Sequence, residues 1–153
     1  MRSVLGVVLF GGLVVVSAGC GSSEGGQALD MVPVSGNITV NGNPTGNVEL
    51  TFWPQADTKG QGGAGSTDST GRYEVASPQG KKGLPPGKYK VVASRRLNPD
   101  GSPPDPKTPP IESNARETLP SKYSDKLKTE LFLTISAGDK RSFDFSLQAP
   151  KKN

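Results

Sequence analysis

The chain contains no histidine and a single cysteine among its 153 residues. Histidine is the commonest general base at neutral pH and the commonest zinc ligand. Without it, both general-base catalysis and zinc binding lack the residue that they most often use. A lone cysteine excludes an intramolecular disulfide and a thiolate zinc cluster. We therefore expect no enzymatic activity, no metal site and no cofactor.

Apolar residues are also scarce, at 32% of the chain, whereas glycine and proline are frequent, with 20 and 14 copies. A chain of this length is expected to form one domain. The composition predicts a small core connected by long turns and loops. The net charge of +4 is modest and aromatic residues are few, so we expect no nucleic-acid partner.

The N-terminus has the pattern of a secretory signal peptide. Arg2 precedes an apolar run over residues 4–16, and small residues then lead to Cys20. The run is shorter than the ~20 residues that a transmembrane helix needs. A basic start, a short apolar run and small residues before a break predict a signal peptide over residues 1–19.

The position of Cys20 resembles the lipobox of bacterial lipoproteins, although Ser17 stands where that family usually has leucine. The resemblance implies cleavage between Gly19 and Cys20, diacylglycerol on the thiol and an acyl chain such as palmitate on the new amine. Two or three acyl chains anchor a protein stably in a lipid bilayer. The alternatives are a soluble secreted protein and an uncleaved anchor. Residues 20–32 are rich in Gly and Ser and predict a flexible tether.

Residues 33–148 have the alternation of short β-strands. Apolar residues alternate with polar ones from Val34 to Val40, and Asn41-Gly42 then gives a two-residue hairpin signal. The same alternation returns in segments 48–53, 72–75, 88–93, 131–135 and 143–147. With one short helical candidate around residues 121–127, the pattern predicts an all-β fold. We expect an antiparallel, Ig-like β-sandwich of about seven strands, followed by a solvated tail over residues 149–153.

Two loops are predicted between these strands. Residues 60–65 match G-x-G-x-x-G, but dinucleotide binding also needs a following helix and an acidic residue ~20 positions later, where Gly80 stands. We therefore predict a flexible loop over residues 55–65. Residues 94–121 hold seven prolines and predict a long Pro-rich loop, a kind that is usually functional or disordered.

Several segments resemble the carboxypeptidase regulatory-like domain family. T-D-S-T-G-R-Y over residues 67–73 matches its turn, and P-G-K-Y-K-V over 86–91 matches one of its strands. Residues 34–42 are similar to its first hairpin, and residues 120–123 and 143–145 to the C-terminal part of small bacterial lipoproteins that carry this domain. The resemblance implies a transthyretin-like, seven-stranded β-sandwich without catalytic residues, used as an accessory or binding module.

Trp53 is the candidate contact residue. It alternates out of phase with Leu50 and Phe52, which predicts that it faces away from the core. An exposed tryptophan beside a Pro-rich loop can stack on a sugar ring or a protein partner. We favour the other interpretation, in which the Pro-rich loop over residues 94–121 folds over Trp53 and covers it.

The charged residues allow fewer hypotheses. Residues 68–71 are too short for an EF-hand loop and are interpreted as a turn. Seven lysines are candidates for a basic surface, at positions 81, 82, 88, 90, 122, 126 and 128. We interpret them as a solvent-exposed face, and the alternative is contact with anionic lipid or polysaccharide.

The sequence thus predicts a cell-envelope lipoprotein, anchored through acylated Cys20 and facing the periplasm or the cell exterior. Its β-sandwich is expected to be an accessory or interaction module for an envelope protein or a glycan. The alternative function is a structural spacer or surface-coat component with no specific ligand.

Overall fold

The computed structural model describes residues 29–109, 111–139 and 142–150, which form ten strands and one helical turn. Seven strands have three or more residues: β1 Ser35–Val40, β3 Glu49–Gln55, β4 Gly63–Ser66, β5 Arg72–Glu74, β6 Gly87–Ser94, β9 Leu131–Ile135 and β10 Phe145–Leu147. The short elements are β2 Asn43–Pro44, β7 Arg96–Leu97, β8 Arg116–Glu117 and α1 Ser121–Ser124. The predicted all-β fold is confirmed. The predicted signal peptide, most of the predicted tether and the end of the predicted tail lie outside the described residues.

The first sheet is built around β1. On one edge β1 pairs antiparallel with β5 and β2 in succession, and on the other it pairs with β10. The β1–β10 pair is parallel, with Ile38 opposite Phe145. This pair departs from the antiparallel pattern that the sequence predicted, because the chain reaches β10 from β9 in the other sheet and so does not return by a hairpin.

The second sheet has the order β4-β3-β6-β9, and all of its pairs are antiparallel. Strand β3 continues through Pro54 to Gln55, two residues beyond the alternation predicted over residues 48–53. The β3–β4 ladder ends at Phe52, opposite Gly63. Pro54 therefore lies where β3 has a free edge, and a proline is tolerated there because no N–H is needed on that side.

Both sheets contribute side chains to one hydrophobic core. Tyr73 in β5 is buried, and its ring centroid lies 6.3 Å from that of Phe52 in the second sheet and 6.5 Å from that of Phe145 in the first. Its hydroxyl donates a 2.5 Å hydrogen bond to the carbonyl oxygen of Phe143. The ring of Tyr73 therefore packs between the two sheets, and its buried hydrogen bond holds β5 to the segment before β10 within the first sheet.

The predicted flexible loop over residues 55–65 is wrong in its last part, because residues 63–66 form strand β4. Ala64 and Ala76 exchange two backbone hydrogen bonds of 2.9 Å, which extend the second sheet to the end of β5. A Cβ atom on Gly63 would lie 2.5 Å from the carbonyl oxygen of Ala76, and one on Gly65 would collide with that of Glu74. The glycines are thus needed for close backbone approach.

The Pro-rich segment, residues 94–121, is closed at its base by the β7–β8 pair. The carboxylate of Glu117 accepts hydrogen bonds from the hydroxyl of Ser94 at 2.6 Å and the backbone N–H of Arg95 at 3.0 Å. The hydroxyl of Thr118 donates to the carbonyl oxygen of Arg95 at 2.7 Å. These bonds fix the two ends of the segment to each other, which its proline content did not predict.

Candidate contact face

The outer face of the second sheet carries a row of two exposed aromatic side chains with a half-buried lysine between them. Trp53 in β3 lies opposite Lys90 in β6, which in turn lies opposite Phe132 in β9. Core residues alternate with this row along each strand, so all three side chains point away from the core. Trp53 is 38% exposed and Phe132 is 61% exposed. We call Trp53, Lys90 and Phe132 the aromatic–lysine row.

Lysine side chains contact both rings of the row. The Nζ atom of Lys126 lies 3.4 Å from the Trp53 ring centroid, and that of Lys90 lies 5.8 Å from the Phe132 ring centroid. Both distances are within the range of cation–π attraction. Among the described residues the ion pair found is Lys82–Glu74, at 3.6 Å and away from this face. Lys90 and Lys126 therefore form no ion pair with a carboxylate of the described residues.

The turn that follows α1 positions Lys126. Tyr123 of α1 is buried in the core, and the hydroxyl of Thr129 donates a 2.6 Å hydrogen bond to the carbonyl oxygen of Val91 in β6. Between these anchors, the carboxylate of Asp125 accepts a 2.8 Å bond from the backbone N–H of Leu127. The tight turn exposes 87% of Leu127, next to the lysine that covers Trp53.

Trp53 faces away from the core, as its alternation predicts. The Pro-rich segment was expected to cover Trp53, and the cover that the structure shows over the indole ring is the Lys126 side chain, which comes from the turn after α1. Because a single lysine covers only part of the indole, a large fraction of Trp53 remains accessible. The sequence singled out Trp53, Lys90 and Lys126 separately but did not predict that they meet.

The T-D-S-T-G-R-Y segment is a structural turn, as interpreted from the sequence. The carboxylate of Asp68 accepts hydrogen bonds from the hydroxyl of Thr70 at 2.6 Å, from its backbone N–H at 2.8 Å and from that of Arg72 at 3.1 Å. These bonds hold the pKa of Asp68 below its usual value. Gly71 has a φ of 81°, which favours glycine.

Thr67 completes this turn from the buried side. Its hydroxyl donates a 2.9 Å hydrogen bond to the carbonyl oxygen of Thr45 and accepts one of 2.9 Å from the backbone N–H of Val48. The side chains of Thr67, Asp68 and Thr70 therefore serve to hold the chain in place.

A groove of about 620 Å³ lies between the base of the Pro-rich segment and Ala149. Two of its charged side chains are already engaged, because Arg95 donates through Nε to the carbonyl oxygen of Gly46 at 3.1 Å and Glu117 accepts the bonds at the base of the segment. Of the charged side chains that line the groove, this leaves Arg116 to orient a small ligand, whereas such a site is typically built from several convergent polar groups.

Within the described residues, no group of three or more His, Cys, Asp or Glu side chains is placed to hold a metal ion. The same part of the chain contains no helix of the length and hydropathy needed to cross a bilayer. Gly19 and Cys20, the predicted cleavage and lipidation residues, lie outside it. No family model matches the chain, and no curated protein or solved structure is significantly similar to it.

Proposed function

We propose that the chain is a cell-envelope lipoprotein that displays a non-catalytic β-sandwich as an accessory or interaction module. The observation that carries this proposal is the aromatic–lysine row, in which Trp53 and Phe132 expose 38% and 61% of their surface beside the lysines that contact their rings. Exposed aromatic residues that cluster on one face are typical of binding surfaces. The row is therefore the contact surface of the module.

Two features support a transthyretin-like sandwich of the carboxypeptidase regulatory-like kind. Seven strands of three or more residues form two sheets over one core, and the segments that resemble the family form a hairpin, a turn and a strand. Both are what such a sandwich requires. The family is known for accessory modules, which agrees with an interaction role.

The distribution of perturbed pKa values supports a non-catalytic domain. Burial raises the pKa of Tyr89 to about 12, and its hydroxyl donates a 2.7 Å hydrogen bond to the carbonyl oxygen of Pro85. Burial and the nearby charge of Asp144 also raise the pKa of Tyr73. Catalytic sites gather such groups in a cleft, whereas here both phenols are bonded within the core.

The anchor supports an envelope location. The apolar run over residues 4–16, the small residues that follow it and Cys20 together form the lipobox-like pattern. Acyl chains on Cys20 would hold the module at a membrane surface in the periplasm or on the cell exterior. The proposal therefore combines a lipid anchor with a displayed binding face.

The test is retention of native envelope material on the tagged full chain, with retained proteins, glycans and lipids analysed separately. We expect the wild type to retain a defined component and Trp53→Ala to reduce its amount about tenfold or more, since tryptophan is a frequent binding hot spot. Ile111→Ala is the matched control, because Ile111 is 93% exposed and lies in the Pro-rich segment. We expect it to retain the component.

Two results would contradict the interaction role. If the wild type and Trp53→Ala retain equal amounts of the component, the aromatic–lysine row does not contribute to binding it. The absence of any component specific to the wild type would favour the alternative, a structural spacer or surface-coat component with no specific ligand.

A further inference from the structure

We propose that the aromatic–lysine row docks flat on an anionic lipid bilayer, so that the anchored module lies against the membrane instead of extending away from it. This inference rests on the proposed function, because it names the surface that the contact face engages. The row, the exposed Leu127 and the lysines around them carry it.

The side chains of this face have the chemistry of a membrane interface. Trp53, Phe132 and Leu127 expose apolar surface, and Lys90 and Lys126 place ammonium groups against the two rings. Aromatic and aliphatic side chains enter the boundary between headgroups and acyl chains, while lysines reach the phosphates. Leu127 favours a bilayer over a glycan, since an aliphatic side chain cannot stack on a sugar ring as an aromatic ring does.

The charge of the face is complementary to anionic lipid. Lys88 lies two residues before Lys90 in β6, on the same face, and is paired with Gln55 and Thr134 of the neighbouring strands. It adds a third ammonium group to those of Lys90 and Lys126. The acidic residue of β3, Glu49, stands four residues from Trp53, which is about 13 Å along an extended strand. The centre of the face is therefore basic.

The turn and its flanks carry charges of both signs. Lys122 and Lys128 are exposed there with Glu130, and Asp125 is partly buried with its carboxylate bonded to Leu127. These residues add no excess of negative charge to the face. Each lysine near an anionic membrane contributes about 1 kcal/mol to binding.

The proposed anchor keeps the face close to the bilayer. Eight residues lie between Cys20 and Leu29, where the described chain begins, and the distance from Cys20 to Leu29 is about 30 Å at most when this stretch is fully extended. A tether of this length gives the domain a high effective concentration at the membrane. A weak intrinsic affinity of the face is therefore enough to keep it docked.

The chain provides its own site-specific probe, because Trp53 is its single tryptophan. The experiment uses the mature chain, residues 20–153, carrying Cys20→Ala throughout, so that neither the apolar run over residues 4–16 nor an acyl group contributes. Fluorescence is recorded with vesicles of phosphatidylcholine alone and with vesicles that also contain phosphatidylglycerol, each with and without brominated acyl chains. We expect a blue shift and bromine quenching of Trp53 with the anionic vesicles, and neither with the neutral ones.

Charge-removing variants test the face itself. Lys90→Gln with Lys126→Gln should weaken partition into anionic vesicles about thirtyfold. The matched control removes the same charge from exposed lysines elsewhere, Lys81→Gln with Lys107→Gln, and should weaken it about threefold at most. Circular dichroism of both variants checks that they remain folded.

Three results would overturn the proposal: no change of Trp53 fluorescence with anionic vesicles, equal quenching in neutral and anionic vesicles, or equal losses in the two double variants. A further measurement with soluble polygalacturonate tests whether the face binds an acidic glycan instead. If polygalacturonate shifts Trp53 emission while brominated lipids fail to quench, the face binds an acidic glycan. The interaction module then stands and the bilayer proposal falls.

Discussion

Replacing Gly65 with valine is expected to lower the free energy of unfolding by about 3 kcal/mol, which corresponds to a fall in Tm of about 10 °C. A Cβ atom at this position would collide with the carbonyl oxygen of Glu74, so β4 would have to move away from the end of β5. That movement would also break the two hydrogen bonds that Ala64 exchanges with Ala76. Urea denaturation followed by circular dichroism measures the loss.

The matched control is Ala64→Val, one residue earlier in the same strand. Its side chain is exposed on the outer face, where a β-branched residue suits a strand, so we expect a change within about 0.5 kcal/mol. If Gly65→Val proves as stable as the wild type, residues 63–66 are part of the flexible loop that their composition suggested. The close packing of β4 on β5 would then be wrong.

Replacing Tyr73 with alanine is expected to cost about 4 kcal/mol, because it leaves a cavity where the ring lies between Phe52 and Phe145. Tyr73→Phe keeps the ring and should cost about 1–2 kcal/mol, since the carbonyl oxygen of Phe143 loses its buried donor. The difference between the variants separates the contribution of the ring from that of the hydroxyl.

Phe132→Ala serves as the control for Tyr73, because it removes an aromatic ring that is 61% exposed. We expect it to change stability by less than about 1 kcal/mol and to leave a single unfolding transition. A loss below 1 kcal/mol for Tyr73→Ala, or separate transitions for the two sheets, would contradict a shared core.

Strands with alternating side chains could be predicted from the sequence because their period is directly visible. The pattern from Val34 to Val40 became β1, and the stripe of Leu131, Leu133 and Ile135 became β9. Strand β4 could not be predicted in this way, since Gly63 and Gly65 have no side chains to alternate. Their role depends on a backbone that lies distant in the sequence.

The β7–β8 pair illustrates a second limit of sequence-based prediction. Two-residue strands are too short to show a period, and this pair depends on hydrogen bonds from Ser94 and Arg95 to Glu117 across the Pro-rich segment. The proline count correctly indicated an irregular segment between them. It carried no information on how the ends of that segment are held together.

The candidate contact face was predictable only in part. The alternation of apolar and polar residues in β3 indicates that Trp53 points outward. Which residues lie next to it on the face is determined by the register between strands. That register places Lys90 and Phe132 in the same row and brings Lys126 over the indole ring from a separate turn. Such contacts depend on tertiary structure, which the sequence spacing of these residues does not reveal.

The measurement that tests the central claim most directly is incorporation of labelled palmitate into the full chain expressed in a bacterium. If Cys20 is the lipid anchor, the wild type takes up label and sediments with membranes, and Cys20→Ala loses the label completely. Ser22→Ala, two residues later, is the matched control and should label as the wild type does. Equal labelling of Cys20→Ala, or no labelling of the wild type, would contradict a lipoprotein.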